Sequence, residues 1–390
     1  MSRALEFEHL PDRLVCLARE WSELLARVQT PSLLVDANAA DANCSVAAAY
    51  GEKVGVTIRP HAKAHGCSVL LRRQLTLGSN GARQSAVKGV ACATAEEAAA
   101  LANAGFDDIL LANEVVSRPA LALLTAAATS ARLTVAVDSR LGIDVAAKAA
   151  AAAGSAIGIL VDLNVGSGRC GVSADGPEVV TLARLAAANS SLRMKGIMAY
   201  TGRANYYSDR RARAAVAREV KEQVERACQR LREASFEVTV VSGGSTGTFD
   251  LDQGLTELQL GSYVLIDGRY AAIHVGFRPA LFCAATVVSL ERGSRAILDC
   301  GWKAISGESG LPVTPRGLTA RALSAEHLTC ELSEDASFHL GQVVLVVPPH
   351  LDTAVTLHER LVVVDNGHIE EWPVDLRRTG SRLVAAPQHV

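Results

Sequence analysis

At 390 residues the chain exceeds what one hydrophobic core usually organises, so a large domain with a smaller companion is expected. Apolar residues make up 49% and charged residues 21%, which suits a globular protein with a sizeable core and excludes a disordered one. The formal net charge of -2, with basic residues scattered along the chain, gives no footprint for nucleic acid or an anionic membrane and leaves a small molecule as the expected ligand.

The first ten residues contain Glu6 and Glu8 and lack the apolar core of a signal peptide. No run reaches roughly 18 apolar residues, so a cytoplasmic protein is expected, with organellar targeting left open. The nine cysteines show neither CxxC pairing nor dense spacing and read as reduced, mostly buried thiols.

From residue 56 to about 265, short β-branched runs alternate with Ala-rich helical stretches. Eight runs are expected as strands: 56–59, 89–93, 109–112, 133–137, 157–163, 194–199, 238–241 and 256–260. Helices are expected over 94–104, 119–128, 145–153, 177–189 and 209–234, all rich in good helix formers. Eight such units point to an α/β fold of the TIM-like (β/α)8 barrel type. An open doubly wound sheet would be signalled by a Gly-rich turn after the first strand, where this chain has His61, Lys63 and His65. The segment 77–88, with Gly78-Ser79-Asn80-Gly81, reads as a surface loop. After residue 275 the runs 283–290, 295–298, 343–347 and 360–364 are separated by Gly, Pro and Asp turns, as in a β-rich domain. The expected division is a barrel over 31–275 and a β-rich domain over 276–390, with 1–30 packed on the latter.

Lys63 follows the first barrel strand, at the mouth where barrel active sites assemble, and a lysine there can attack a carbonyl. Arg59, His61 and His65 crowd cationic or potentially cationic groups around it, and such neighbours disfavour an ammonium. Ser242-Gly243-Gly244-Ser245-Thr246-Gly247-Thr248 follows an apolar strand and can turn N–H and hydroxyl groups toward a phosphate, although it has neither Walker nor GxGxxG spacing. Gly261-Ser262-Tyr263, after the last barrel strand, can add donors to the same anion. Arg169 and Tyr200 follow two further strands and sit near the same mouth. In the β-rich region, His350 and Asp352 are two apart; if that segment is extended they face one side and can share a divalent ion, although a structural His–Asp pair has the same spacing. Carboxylate and imidazole together suit Mn²⁺ or Mg²⁺.

These residues resemble the D-threonine aldolase and D-serine dehydratase group, fold type III pyridoxal phosphate enzymes related to alanine racemase. The resemblance runs from Thr30-Pro31-Ser32-Leu33-Leu34-Val35-Asp36, with Asn43 after it, through Arg59-Pro60-His61-Ala62-Lys63 and Tyr200-x-Gly202 to His350-x-Asp352. It implies that Lys63 forms the imine with pyridoxal 5'-phosphate, and that Arg169 and Tyr200 contact that cofactor. Ser242, Gly243, Gly244, Thr246, Gly247, Ser262 and Tyr263 would hold its phosphate, and His350 with Asp352 the metal. It also implies a homodimer in which one subunit's β-domain completes the other's site. Dehydratases of the group carry His-x-Cys with zinc, whereas His-x-Asp is the aldolase pattern, so the implied activity is cleavage of a D-β-hydroxy amino acid to glycine and an aldehyde. The chain departs from the pattern in one place. A His that usually follows Tyr-x-Gly is missing, and Asn205, Tyr206 and Tyr207 stand nearby, with Tyr206 as the candidate base. A dehydratase, a racemase, a non-catalytic pyridoxal phosphate carrier and a cofactor-free lysine aldolase are the competing readings.

Overall fold

The computed structural model describes residues 9–79, 86–291 and 294–376. Eight parallel strands form one sheet in the order Thr57–Pro60, Glu257–Leu260, Val240–Gly243, Leu192–Ala199, Ile157–Asp162, Arg132–Val137, Asp108–Leu111 and Val90–Cys92. Parallel bridges Ile58 to Val87 and His61 to Ala91 bring the first and last strands of this order together into a barrel. Each expected strand is present to within a few residues at its ends.

The intervening helices start where the sequence supplies a cap. Thr94 accepts from Glu97 N–H, Ser139 from Gly142 N–H, and Asp209 from Ala212 N–H, each satisfying an otherwise orphaned donor. Helix Arg140–Ala153 ends at Gly154, whose φ of 62° favours a residue without Cβ. The expected loop at 77–88 begins later than its glycines suggested, because the helix Ser68–Ser79 continues through Gly78. Residues 80–85 of that segment lie outside the described residues.

Inside the barrel, Ala91, Leu110, Ala136, Leu160 and Met198 form a small apolar cluster. A charged group also lies in the interior. Arg59 bonds Asp108 at 2.9 Å and Glu257 at 2.7 Å, and Lys195 donates to Thr134 at 2.9 Å. Gly158 leaves room for that lysine, since a Cβ there would lie 2.7 Å from both Lys195 Cε and Thr134 Oγ1.

The second sheet runs in the order Leu318–Leu323, Leu328–Leu332, Arg295–Leu298, Leu281–Glu291, Ser32–Asp36, Arg360–Asp365 and His368–Pro373, with Val343–Val346 also pairing Leu281–Glu291. Ser32–Asp36 is antiparallel to Leu281–Glu291 and parallel to Arg360–Asp365. It therefore belongs to this sheet, and the barrel boundary expected at residue 31 moves past it to the helix Ala37–Val54. Helix Leu10–Glu20 lies against Val343–Val346. Among the cysteines, all but Cys16 and Cys170 are buried, and none is bonded to another. No described helix is long and apolar enough to cross a membrane.

Replacing Arg59 by Leu would strand the Glu257 carboxylate in the barrel interior without its partner. A loss of about 3–5 kcal/mol is expected, measured as a lowered urea midpoint at unchanged slope.

Candidate active site

Pro60 ends the first barrel strand, and Ala62–Ala64 follows as a single 3-10 turn. The turn is capped by His61, whose Nδ1 accepts from the Lys63 N–H at 3.4 Å. Lys63 Nζ comes to 5.3 Å from the centre of the Tyr200 ring, and the Arg169 guanidinium to 5.5 Å from the same ring. Attraction of each cation to the ring's π face helps keep the three side chains together.

The crowd of cations expected around Lys63 is not formed. Arg59 points into the barrel, into its ion pairs with Asp108 and Glu257. Burial, reinforced by the charges of Lys63, His65 and Arg169, pushes His61 well below the usual imidazole range. His65 is pushed down to about 4 by burial, against the bond it makes to Gln74. Both rings are therefore neutral near pH 7, and with Nδ1 of His61 accepting, its Nε2 is left as the donor.

Lys63 opens on a cavity of about 190 Å³ whose walls include His61, Tyr200, Thr246, Ser262, His350 and Asp352. Residues nearly 300 apart in sequence thus share one small space. Gly261 lets two loops meet there, since a Cβ on it would lie 3.1 Å from Ala64 Cβ. Gly247 does the same for the other loop, where a Cβ would lie 2.3 Å from Asn205 Oδ1.

Two of the expected phosphate contacts are not available as side chains. Ser242 donates to Glu257 at 2.6 Å and accepts from Gln259 at 3.0 Å, so its hydroxyl is spent inside the barrel. Tyr263 is fully buried, accepts from Gln74 at 3.0 Å and packs against Phe277. Strand alternation and the turn after Leu260 send these side chains into the core, which the loop composition did not reveal. Gly243 serves sheet packing, because a Cβ there would lie 2.3 Å from the Ala199 carbonyl oxygen. Gly244, at φ 76°, turns the chain toward the cavity, and Ser245 and Thr246 reach its wall.

The His350 and Asp352 pair meets in a different way from the one expected. The segment is not a strand: His350 stands at the residue before the short helix Leu351–Val355, and Asp352 lies in its first turn. The turn brings Asp352 Oδ1 to 3.9 Å from His350 Nε2, while Glu308 holds Nδ1. Asp267 anchors this turn. Its two carboxylate oxygens accept from Tyr270 N–H and Leu351 N–H, each at 2.9 Å, tying the loop after the last barrel strand to the second domain. The Tyr206 backbone ends the short helix Arg203–Tyr206, and its side chain lies outside the described residues.

A family model for the alanine racemase N-terminal domain matches residues 35–267, and one for a putative serine dehydratase domain matches 280–364. A D-threonine aldolase of Arthrobacter sp is 38% identical over 90% of this chain and 94% of its own. The chain belongs to the alanine racemase family, in its D-threonine aldolase branch. A 3-hydroxy-D-aspartate aldolase of Paracoccus denitrificans is 34% identical over 91% of this chain and 94% of its own. The solved D-threonine aldolase of Filomicrobium marinum superposes with a TM-score of 0.84 at 33% identity, covering 90% of this chain and 96% of its own. The barrel and β-rich domain read from the sequence are the architecture of this branch.

Several cavity residues escaped the sequence reading: Gln259, Arg269 and Tyr270. Asp267-Gly268 was the available signal for two of them, as a turn directly after the last strand. Asn205 joins a network in which Ser245 donates to its Oδ1 at 3.1 Å and Thr248 donates to Asp252 at 2.6 Å. Burial pushes Asp252 up to about 7, against the bonds from Thr248 and the Ser245 N–H.

An acid whose folded value is raised favours folding while it is protonated. Its contribution is full below about pH 4 and is lost as pH rises through about 7. Asp252→Asn should therefore flatten the decline in thermal midpoint between pH 4 and 7, read by calorimetry against the parent protein.

Proposed function

We propose that this chain is an aldehyde-lyase that cleaves D-threonine and related D-β-hydroxy amino acids to glycine and an aldehyde. In this reading Lys63 holds pyridoxal 5'-phosphate, and His350 with Asp352 hold Mn²⁺ or Mg²⁺. The supporting observation is the convergence of Lys63, Thr246, Ser262, His350 and Asp352 on one cavity, in a chain 38% identical to a D-threonine aldolase. The reading includes a cytoplasmic homodimer, as the family resemblance implies.

The residues present fit both groups. Hydroxyls of Thr246 and Ser262, beside glycines that let the backbone approach closely, suit a phosphate. The 3.9 Å between His350 and Asp352 is too long for a hydrogen bond and shorter than two bonds of roughly 2.1 Å to one ion. Glu308 on Nδ1 leaves Nε2 as the ligand nitrogen, the arrangement that raises the basicity of a metal-binding imidazole. When bound, the cofactor supplies an electron sink for Cα, and the ion an acid that loosens the β-hydroxyl proton.

This chain's own residues then bind, orient and move protons. Lys63 would hold the cofactor, and as an amine close to Cα it could return a proton there once the Cα–Cβ bond has broken. Arg169 and Lys63 both lie over the Tyr200 ring, and Arg169 would face the cofactor's phenolic oxygen when the cofactor is bound. His61 offers a neutral Nε2–H and adds no positive charge. His350 and Asp352 orient the β-hydroxyl. Tyr206 is the side chain proposed to take its proton. Asn205 beside it has no basic atom and accepts from Ser245.

A dehydratase releasing ammonia and an oxo acid is the second reading, favoured by the match of residues 280–364 to the serine dehydratase domain. Asp352, where the resemblance gives dehydratases a Cys, counts against it.

Protein stripped with a chelator and given D-threonine should release glycine only after Mn²⁺ is restored, by amino-acid analysis of the products. Ammonia with an oxo acid in place of glycine would move the chain to the dehydratase reading. Lys63→Ala should lose both cleavage and the visible absorbance of the bound cofactor; retention of both would sink the assignment of Lys63.

A further inference from the structure

Arg269 lines the same cavity as Lys63, His350 and Asp352. It sits on the short helix Gly268–Ala272, with its guanidinium 5.6 Å from the centre of the Tyr270 ring. Asp267 caps this helix through Tyr270 N–H and holds Leu351 N–H with its other oxygen, and Gly268 N–H donates to the Pro348 carbonyl at 2.9 Å. These bonds fix the Arg269 backbone against the turn that carries His350 and Asp352. The short helix that carries Arg269 is thus tied to the turn that carries the two residues assigned to the β-hydroxyl.

An amino acid bonded through its nitrogen near Lys63 carries its carboxylate one carbon away. A carboxylate does not enter a space of about 190 Å³ without a compensating charge. His61 is neutral, and Lys63 occupies the position where the amine reacts. Arg169 is exposed and is not part of the cavity wall. Among the described residues of that wall, Arg269 is the cation that remains, and its planar fork matches two carboxylate oxygens. We propose, on the strength of the aldolase reading above, that Arg269 binds the α-carboxylate of the substrate and so sets the class of substrate to α-amino acids rather than amines.

The test uses the holoenzyme with Arg269→Gln and Arg269→Lys. Glycine and methylamine differ by the carboxylate alone, and the binding of each is followed through the absorbance of the bound cofactor. Arg269→Gln should weaken glycine by about tenfold or more, a charge-assisted bond lost, while methylamine changes by less than about twofold. Arg269→Lys should recover part of the glycine affinity. The kcat/KM for D-threonine and for D-3-hydroxyaspartate should fall together, because both carry the α-carboxylate. Equal weakening of glycine and methylamine, or no weakening of glycine, would overturn the assignment. Loss confined to D-3-hydroxyaspartate would overturn it too, by moving the contact to a distal carboxylate. Should neither amine alter the absorbance of the parent holoenzyme, the cofactor reading itself fails and the Arg269 proposal goes with it.

Discussion

The carboxylate of Asp267 is the contact on which the site depends. It is fully buried, and each of its oxygens takes a backbone N–H, one from Tyr270 beside the barrel and one from Leu351 in the second domain. Burial raises the affinity of this carboxyl for a proton, and the two N–H bonds with the nearby charges of Arg269 and His350 act in the opposite direction. An acid in such a place is costly unless both oxygens are satisfied. Here the partners come from different domains, so satisfying the acid docks one domain against the other. The cavity is lined from both sides as a consequence.

Charge is sorted within the barrel by the same logic. Arg59 lies four residues from Lys63 in sequence yet is drawn into ion pairs with Glu257 and Asp108. His61 and His65 are neutral because they are buried, so the positive charge at the mouth comes from Lys63, Arg169 and Arg269. Two of these lie against tyrosine rings, Arg169 with Tyr200 and Arg269 with Tyr270. Stacking of this kind helps hold a guanidinium in one orientation. A mouth so arranged is suited to small anionic ligands, and the ion pair in the interior does not compete for them.

Much of the architecture was legible in the chain because it is written in local period and composition. Alternation of β-branched runs with Ala-rich stretches announces eight βα units, and the caps at Thr94, Ser139 and Asp209 announce helix starts. Lys63 could be assigned to the mouth from its place after a strand alone. Where the reading failed, a side chain's direction or a long-range pairing decided. Ser32–Asp36 falls within the barrel span expected from residue 31, but its partners are Leu281–Glu291 and Arg360–Asp365, both distant in sequence.

The phosphate-loop residues mark the same limit. Ser242 and Tyr263 sit in segments of the right composition, and strand alternation and core packing turn both side chains away from the cavity. His350 and Asp352 were paired by their spacing, and the pair is brought together by a helical turn in place of the extended geometry that suggested it. By itself the sequence determined the barrel and the lysine at its mouth, because those follow from local pattern and residue chemistry. Which side chains share the cavity, Arg269 among them, was decided by tertiary structure alone, because Asp267 can meet Leu351 only after two domains have folded and docked.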